Sequence, residues 1–319
     1  MIIDTHTHLL DTGHWPNEWW DWVAEDWAKV APGRQPSMIR DKIEAGLIDP
    51  DGSRMIASMD AAGVDMSIIL PIDWGLDFTG TKPITKVVEH ARWLTELHPG
   101  RLLAFGSIDP RRPEATDLVS EWLQNGIRGL KLYPSCGWHP ASDAATQVYE
   151  LCHSAGVPVL FHTGDPLPVL DRDLSNPALL TDVATAFPNM PIWLGHAGAP
   201  LWWDEALSLA QTATNVSLEM SVWIWDDTPP AGVAQFVAKV AEAIGLLGVN
   251  RMIFGTDNVS GPRVRKHGFL TTVLAAYTNL PTTLKKHGVE LSESDLALIL
   301  GGNALRDLKL DAQPVSTNA

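Results

Sequence analysis

The chain has 319 residues, of which 45% are apolar and 19% charged, and its formal net charge is −15. This is the composition of a soluble globular protein with a sizeable core. The acidic balance excludes nucleic acid and anionic membrane surfaces as main partners, since both call for basic patches. A small anionic substrate is not excluded, because it responds to local charge.

Only two cysteines occur, Cys136 and Cys152, and neither sits in a Cys-x-x-Cys motif. A disulfide framework is not expected, and a reducing, cytoplasmic setting is the simpler reading. No signal peptide precedes the first apolar run, and no run is long enough to span a membrane. Nothing in the composition decides between a monomer and a homo-oligomer.

The first apolar run is Ile2–Thr5, read as a short buried strand, followed by His6-Thr7-His8. If the strand continues, His6 and His8 point to one side, because side chains alternate along a strand. Two imidazoles on one face suit a divalent metal bound through nitrogen. Seven further runs follow: Asp65–Leu70, Leu102–Ile108, Ile127–Tyr133, Val157–His162, Pro191–His196, Val216–Met220 and Arg251–Thr256. Near-continuous apolar runs are expected of strands buried on both faces of a parallel sheet. Helical patterns lie between them at Thr85–Leu97, Glu114–Asn125, Ala144–Ala155, Pro177–Phe187 and Val233–Leu247. Gly126 and Gly156 serve as C-terminal caps, with Asp143 and Asn176 as N-caps. Ser292 opens a last helix to about Leu308.

Eight strand–helix alternations predict a (β/α)8 TIM barrel of the α/β class. An open doubly wound sheet would need a glycine-rich phosphate turn after its first strand, and none is present. The barrel would occupy residues 1–311 as a single unit, with a flexible tail at 312–319. Residues 9–52 and 257–291 are read as long loop insertions after strands one and eight, at the face where such barrels keep their active sites.

The strand ends carry the chemistry. The first closes on His6 and His8, the fourth on Lys131, the fifth on His162, the sixth on His196, and the eighth runs into Asp257. The motifs are Asp4-Thr5-His6-Thr7-His8, Gly129-Leu130-Lys131-Leu132-Tyr133-Pro134, Phe161-His162-Thr163-Gly164, Gly195-His196-Ala197-Gly198, Gly255-Thr256-Asp257 and a late Gly302-Asn303-Ala304. On these the chain resembles the amidohydrolase superfamily, in the branch of metal-dependent TIM-barrel hydrolases related to aminocarboxymuconate semialdehyde decarboxylase.

The resemblance implies that His6, His8, His162 and Asp257 hold a catalytic divalent ion, zinc first and manganese second. It makes Asp257 the base for an activated water, and His196 either a ligand or the group that polarises a substrate oxygen. Asp4 would orient a histidine. Lys131 has three readings: a carbamylated bridge between two ions, a plain lysine holding a substrate carboxylate, or a structural lysine. One ion is favoured, two if Lys131 is carbamylated.

Fourteen tryptophans include clusters at 15–27, 202–203 and 223–225 in segments read as loops. Trp15, Trp19, Trp202 and Trp223 are therefore pocket candidates, as are Arg263 and Arg265, a candidate carboxylate clamp. His14 and His139 are within reach of the same mouth. The reading is a metal-dependent hydrolase of an amide, ester or lactone bond in a small, aromatic or cyclic substrate. A metal-dependent, non-oxidative decarboxylase of an unsaturated or aromatic acid is the alternative, and a catalytically silent scaffold is a third.

Overall fold

The computed structural model describes residues 1–31, 33–225, 227–259 and 268–311. Ten strand segments run parallel: β1 Ile3–His8, β2 Met66–Ile69, β3 Leu102–Ala104, β4 Gly106–Ser107, β5 Leu130–Leu132, β6 Val159–His162, β7 Ile192–Gly195, β8 Val216–Glu219, β9 Met252–Ile253 and β10 Asn258–Val259. One ladder orders β10-β1-β2-β3 and the other β4-β5-β6-β7-β8-β9. They are joined where the third predicted strand is broken into two pieces, and again where β10, beyond the predicted end of the eighth strand at Thr256, follows β9. Between β3 and β4, Phe105 N donates to Ile69 O at 3.0 Å and Gly106 N to Gly129 O at 2.9 Å. On the far side Thr5 N donates to Phe254 O at 3.2 Å, while β10 pairs with β1. Strands three and eight thus serve one neighbour with each half, and the fold is a TIM barrel.

β1 explains how a polar strand can be fully buried. It runs on through His8 rather than ending at Thr5. The hydroxyls of Thr5 and Thr7 donate to Phe254 O and Ile68 O, at 2.8 and 2.7 Å, on the strands to either side. Each buried hydroxyl is thereby paired, which removes the desolvation cost of an orphaned donor. His6 and His8 are left to open on the cavity at the barrel mouth.

Below them the barrel is plugged by Ile3, Ile68, Phe105, Leu160, Trp193 and Ile253, closed off by Ala304, Leu305 and Leu308 of the last helix. Gly129 is required here, because a Cβ would stand 2.5 Å from the Phe105 ring and 2.7 Å from Pro158 O. Asn303 explains the late Gly-Asn-Ala motif. Its amide donates to Val249 O and Met252 O, both at 2.8 Å, and so fixes the entry to β9.

The helices follow the sequence reading with local differences. Ser142, not Asp143, caps the helix Asp143–Ala155, by accepting from Ala145 N. Asn176 does cap its turn, accepting from Ala178 N at 2.9 Å. The last helix opens on a Ser292–Asp295 capping box and passes through a π turn at Leu298–Gly302. The segments read as loops carry helices. Residues 9–52 hold Asn17–Lys29 and Pro36–Leu47, and 257–291 hold Phe269–Thr278 and Leu280–Thr283. The tryptophan spacing followed a helix face and was masked by the surrounding proline and acidic residues. Helix Pro230–Leu247 is long and apolar enough to cross a membrane by length and composition, contrary to the sequence reading. Its Phe236, Val237, Val240, Ala241 and Ala243 are buried. The tail 312–319 lies outside the described residues, as do Arg263 and Arg265.

Candidate active site

Two strand ends, those of β1 and β9, bring His6, His8 and Asp257 together. His6 Nε2 lies 3.5 Å and His8 Nε2 3.2 Å from Asp257 Oδ1. The donor atoms of these three residues all lie within 4.8 Å of one another. Asp257 takes a positive φ of 57°, as do His196 at 69°, Ala197 at 44° and Val222 at 61°. These residues follow β7, β8 and β9, so unfavourable backbone conformations gather at the mouth. Strain of this kind costs about 1–3 kcal/mol per residue and collects at functional sites.

Asp4 holds the turn that delivers Asp257. Its carboxyl accepts from Thr256 N at 3.0 Å, Thr256 Oγ1 at 2.5 Å and His6 N at 3.2 Å. It therefore ties β1 to the turn after β9, rather than orienting an imidazole ring. Burial pushes the Asp4 carboxyl up to about 7.

Glu219, at the end of β8, is a residue the sequence reading missed. It is fully buried and receives four donors: His6 Nδ1 at 2.7 Å, Ser221 Oγ at 2.8 Å, Ser221 N at 2.7 Å and His196 N at 3.2 Å. Three of them, His6 Nδ1, Ser221 Oγ and His196 N, meet Oε2 and Ser221 N meets Oε1, so the carboxyl acts throughout as an acceptor, the role of an ionised carboxylate. The signal was available as one carboxylate in an otherwise apolar strand, Val216-Ser217-Leu218-Glu219-Met220. Gly255 exists for the same carboxylate, because a Cβ there would meet Glu219 Oε1 and stand 3.0 Å from His6 Cβ. Gly255→Ala is expected to displace Glu219 and destabilise the fold by about 1–3 kcal/mol. Urea midpoints check this, together with metal content after dialysis.

The hydrogen bonds fix the tautomers. Ser221 gives its proton to Glu219, so its oxygen accepts from His196 Nδ1 at 2.8 Å. His196 Nε2 then accepts from His162 Nδ1 at 3.1 Å. His162 Nε2 is left buried with no partner among the described residues. Similarly, His8 Nδ1 donates to Leu70 O at 2.7 Å, which turns its Nε2 lone pair on Asp257. His6 does the same through Glu219. Burial lowers His6 and His162 well below the ordinary imidazole value and His196 to about 3, so these three rings are neutral.

Lone pairs facing a carboxylate, and one facing no partner among the described residues, suit a positive centre between them, and the Lys131 ammonium already approaches the His6 lone pair. A nitrogen–oxygen donor set of this kind fits zinc or manganese. Two of the three groups the sequence reading placed with Asp257 are thus brought to it. His162 sits beside His196, outside the group of mutually close donors formed by His6, His8 and Asp257. In this arrangement both nitrogens of His196 are engaged, so it has no proton to offer a substrate oxygen.

Lys131 is 1% exposed, with Nζ 3.3 Å from His6 Nε2. Burial draws its ammonium down to about 8, against the opposing pull of Asp257 and Glu219. His14 lies away from the site against His90, with ring centroids 5.0 Å apart, and His139 accepts from Ala141 N; neither lines the active cavity.

That cavity measures about 870 Å³. Trp15, Trp19 and Trp223 line it as expected, together with Trp22, Trp27, Trp74, Trp225 and Tyr133. Trp202 does not; the residue beside it, Trp203, is buried and donates to Glu242.

The sequence matches the amidohydrolase family over residues 3–310. The chain belongs to that family. The family is metal-dependent and holds both hydrolases and decarboxylases, so the chain is an enzyme of one of these kinds. No curated protein matches it. Among solved structures it is similar to a 5-carboxyvanillate decarboxylase from Novosphingobium aromaticivorans complexed with manganese, at 15% identity and a TM-score of 0.64, covering 97% of this chain and 96% of that one. It is also similar to a probable 2-pyrone-4,6-dicarboxylic acid hydrolase from Acinetobacter baumannii, at 12% identity and a TM-score of 0.60, covering 97% and 99%. A third is an amidohydrolase from Burkholderia multivorans with bound zinc, at 13% identity and a TM-score of 0.64, covering 98% and 100%.

Proposed function

We propose that this family member is a hydrolase of an amide, ester or lactone bond in a small aromatic or cyclic substrate. The observation that best supports this is the pair of histidine lone pairs, His6 Nε2 and His8 Nε2, facing one oxygen of Asp257. A divalent ion, zinc before manganese, would supply Lewis acidity toward a carbonyl oxygen and toward water. His6, His8 and Asp257 would hold it, with His162 Nε2, unpartnered among the described residues, as a further donor. Asp257 would take the proton of the attacking water through its second oxygen and return it to the leaving group. Lys131, at the cavity floor, would bind a negatively charged or polarised substrate oxygen. Glu219 and Ser221 keep His6 and His196 in the tautomers this requires. One ion is our reading; carbamylation of Lys131 would add a second, detectable as a carboxyl mass increment with two metals per chain.

The second reading is a metal-dependent decarboxylase. Lys131 favours it, since a buried ammonium beside the centre suits a substrate carboxylate. A panel of aromatic esters, lactones and carboxylic acids separates the two. Hydrolysis consumes water and leaves a free acid. CO2 release without water uptake would overturn the hydrolase reading.

A further inference from the structure

We propose, resting on the reading of this cavity as a substrate site, that the substrate is elongated and that its end distal to the reacting bond carries no anionic group. An enclosure of about 150 Å³ suffices for a benzene-sized molecule. The cavity here is about 870 Å³, so the volume beyond the reacting centre accommodates more than one ring.

Its wall is built by design of the helix Asn17–Lys29. Trp19, Trp22, Val23, Asp26 and Trp27 all line the cavity. Their spacing is i, i+3, i+4, i+7 and i+8, which is one face of an α-helix. Such a face normally turns into a core; this one turns to a cavity, and Trp27 remains 39% exposed. Trp223 and Trp225 line the same cavity from the segment after β8. Indole faces carry negative quadrupole density, so they attract cations and repel anions.

The polar lining has the same sign. Away from the catalytic centre it consists of Asp26, Asp165, Asp227 and Gln235. Among the described lining residues Lys131 is the one lysine or arginine, and it lies beside His6 at the floor. Asp26 pairs with Lys29 at 3.2 Å and Asp165 with Arg172 at 2.8 Å. Both cations are more than half exposed, at 72% and 58%, and neither lines the cavity, so it is the carboxylates that the cavity meets. A distal carboxylate would therefore lose hydration against indole faces and three acids. A neutral or cationic group would not.

The test uses the metal-loaded full chain and benzohydroxamic acid, whose hydroxamate binds metal, in three para-substituted forms: trimethylammoniomethyl, neopentyl and carboxymethyl. The first two are isosteric. Affinity is read by tryptophan quenching. The cationic and neutral probes are expected to bind at least about tenfold tighter than the anionic one, and Trp19→Ala to narrow that gap. A carboxymethyl probe that binds as tightly as the others overturns the proposal and leaves the metal-centre reading standing. If that affinity is lost in the Arg263→Ala/Arg265→Ala variant, an anion clamp is the replacement. Failure of all three, and of unsubstituted benzohydroxamic acid, on metal-bearing protein overturns both readings together.

Discussion

Asp257→Asn is expected to lower turnover by about 10²–10⁴-fold while leaving the barrel folded. The substitution is nearly isosteric, and asparagine tolerates the left-handed backbone that Asp257 adopts at φ 57° better than other residues do. The chemical change is confined to the carboxylate. The amide cannot accept a water proton, and its NH2 can donate to the Nε2 lone pairs of His8 and His6, 3.2 and 3.5 Å from the present oxygen. Those lone pairs then no longer call for a cation, so metal affinity falls with turnover. The measurements are turnover under saturating metal and metal retained after dialysis. Loss of both, with unchanged urea unfolding, is the expected result. Near-normal turnover would remove Asp257 from the proton path. Full metal retention with turnover lost would leave it as base and not as ligand.

The strand ends were legible because a parallel barrel turns sequence position into spatial position. A histidine at the end of a buried apolar run has one place to go, and His6, His8, Lys131, His162, His196 and Asp257 all reach the mouth cavity. Four things were not legible, each for a physical reason. The split of strands three and eight depends on which neighbour each backbone amide meets, and no side chain encodes that in isolation. The helix Asn17–Lys29 turns Trp19, Trp22 and Trp27 to a cavity and buries Trp20, so its indoles do not mark a single buried side. Trp202 and Trp203 were read together, yet helix entry at Trp203 sends one indole toward Glu242 and leaves the other away from the cavity. Glu219 was hidden by its surroundings: four of the five residues in its run are ordinary strand residues, and its partners, His6 and Ser221, are distant or unremarkable in sequence.

Glu219→Gln is expected to weaken metal binding by about 10–100-fold, the range found when the groups orienting metal-bound histidines are changed. The carboxylate now accepts from His6 Nδ1, Ser221 Oγ, Ser221 N and His196 N. Glutamine offers one accepting oxygen and a donating NH2. His6 Nδ1, Ser221 Oγ and His196 N all meet Oε2 and Ser221 N meets Oε1, so the NH2 faces either His6 with its two neighbouring donors or the Ser221 backbone N–H, which cannot reorient. Either His6 moves its proton to Nε2, which removes the lone pair that faces Asp257, or a buried donor goes unpaired at a cost of about 1–3 kcal/mol. Reversal of the Ser221 hydroxyl disturbs His196 Nδ1 as well, and through His196 the ring of His162. The variant therefore acts on three histidines without touching the cavity surface. Metal titration followed by urea unfolding of metal-free protein separates the two costs. A fall in metal affinity beyond the loss in metal-free stability identifies Glu219 as a positioning residue. Equal losses reduce it to a structural one, and unchanged metal affinity would break the tautomer chain at its origin.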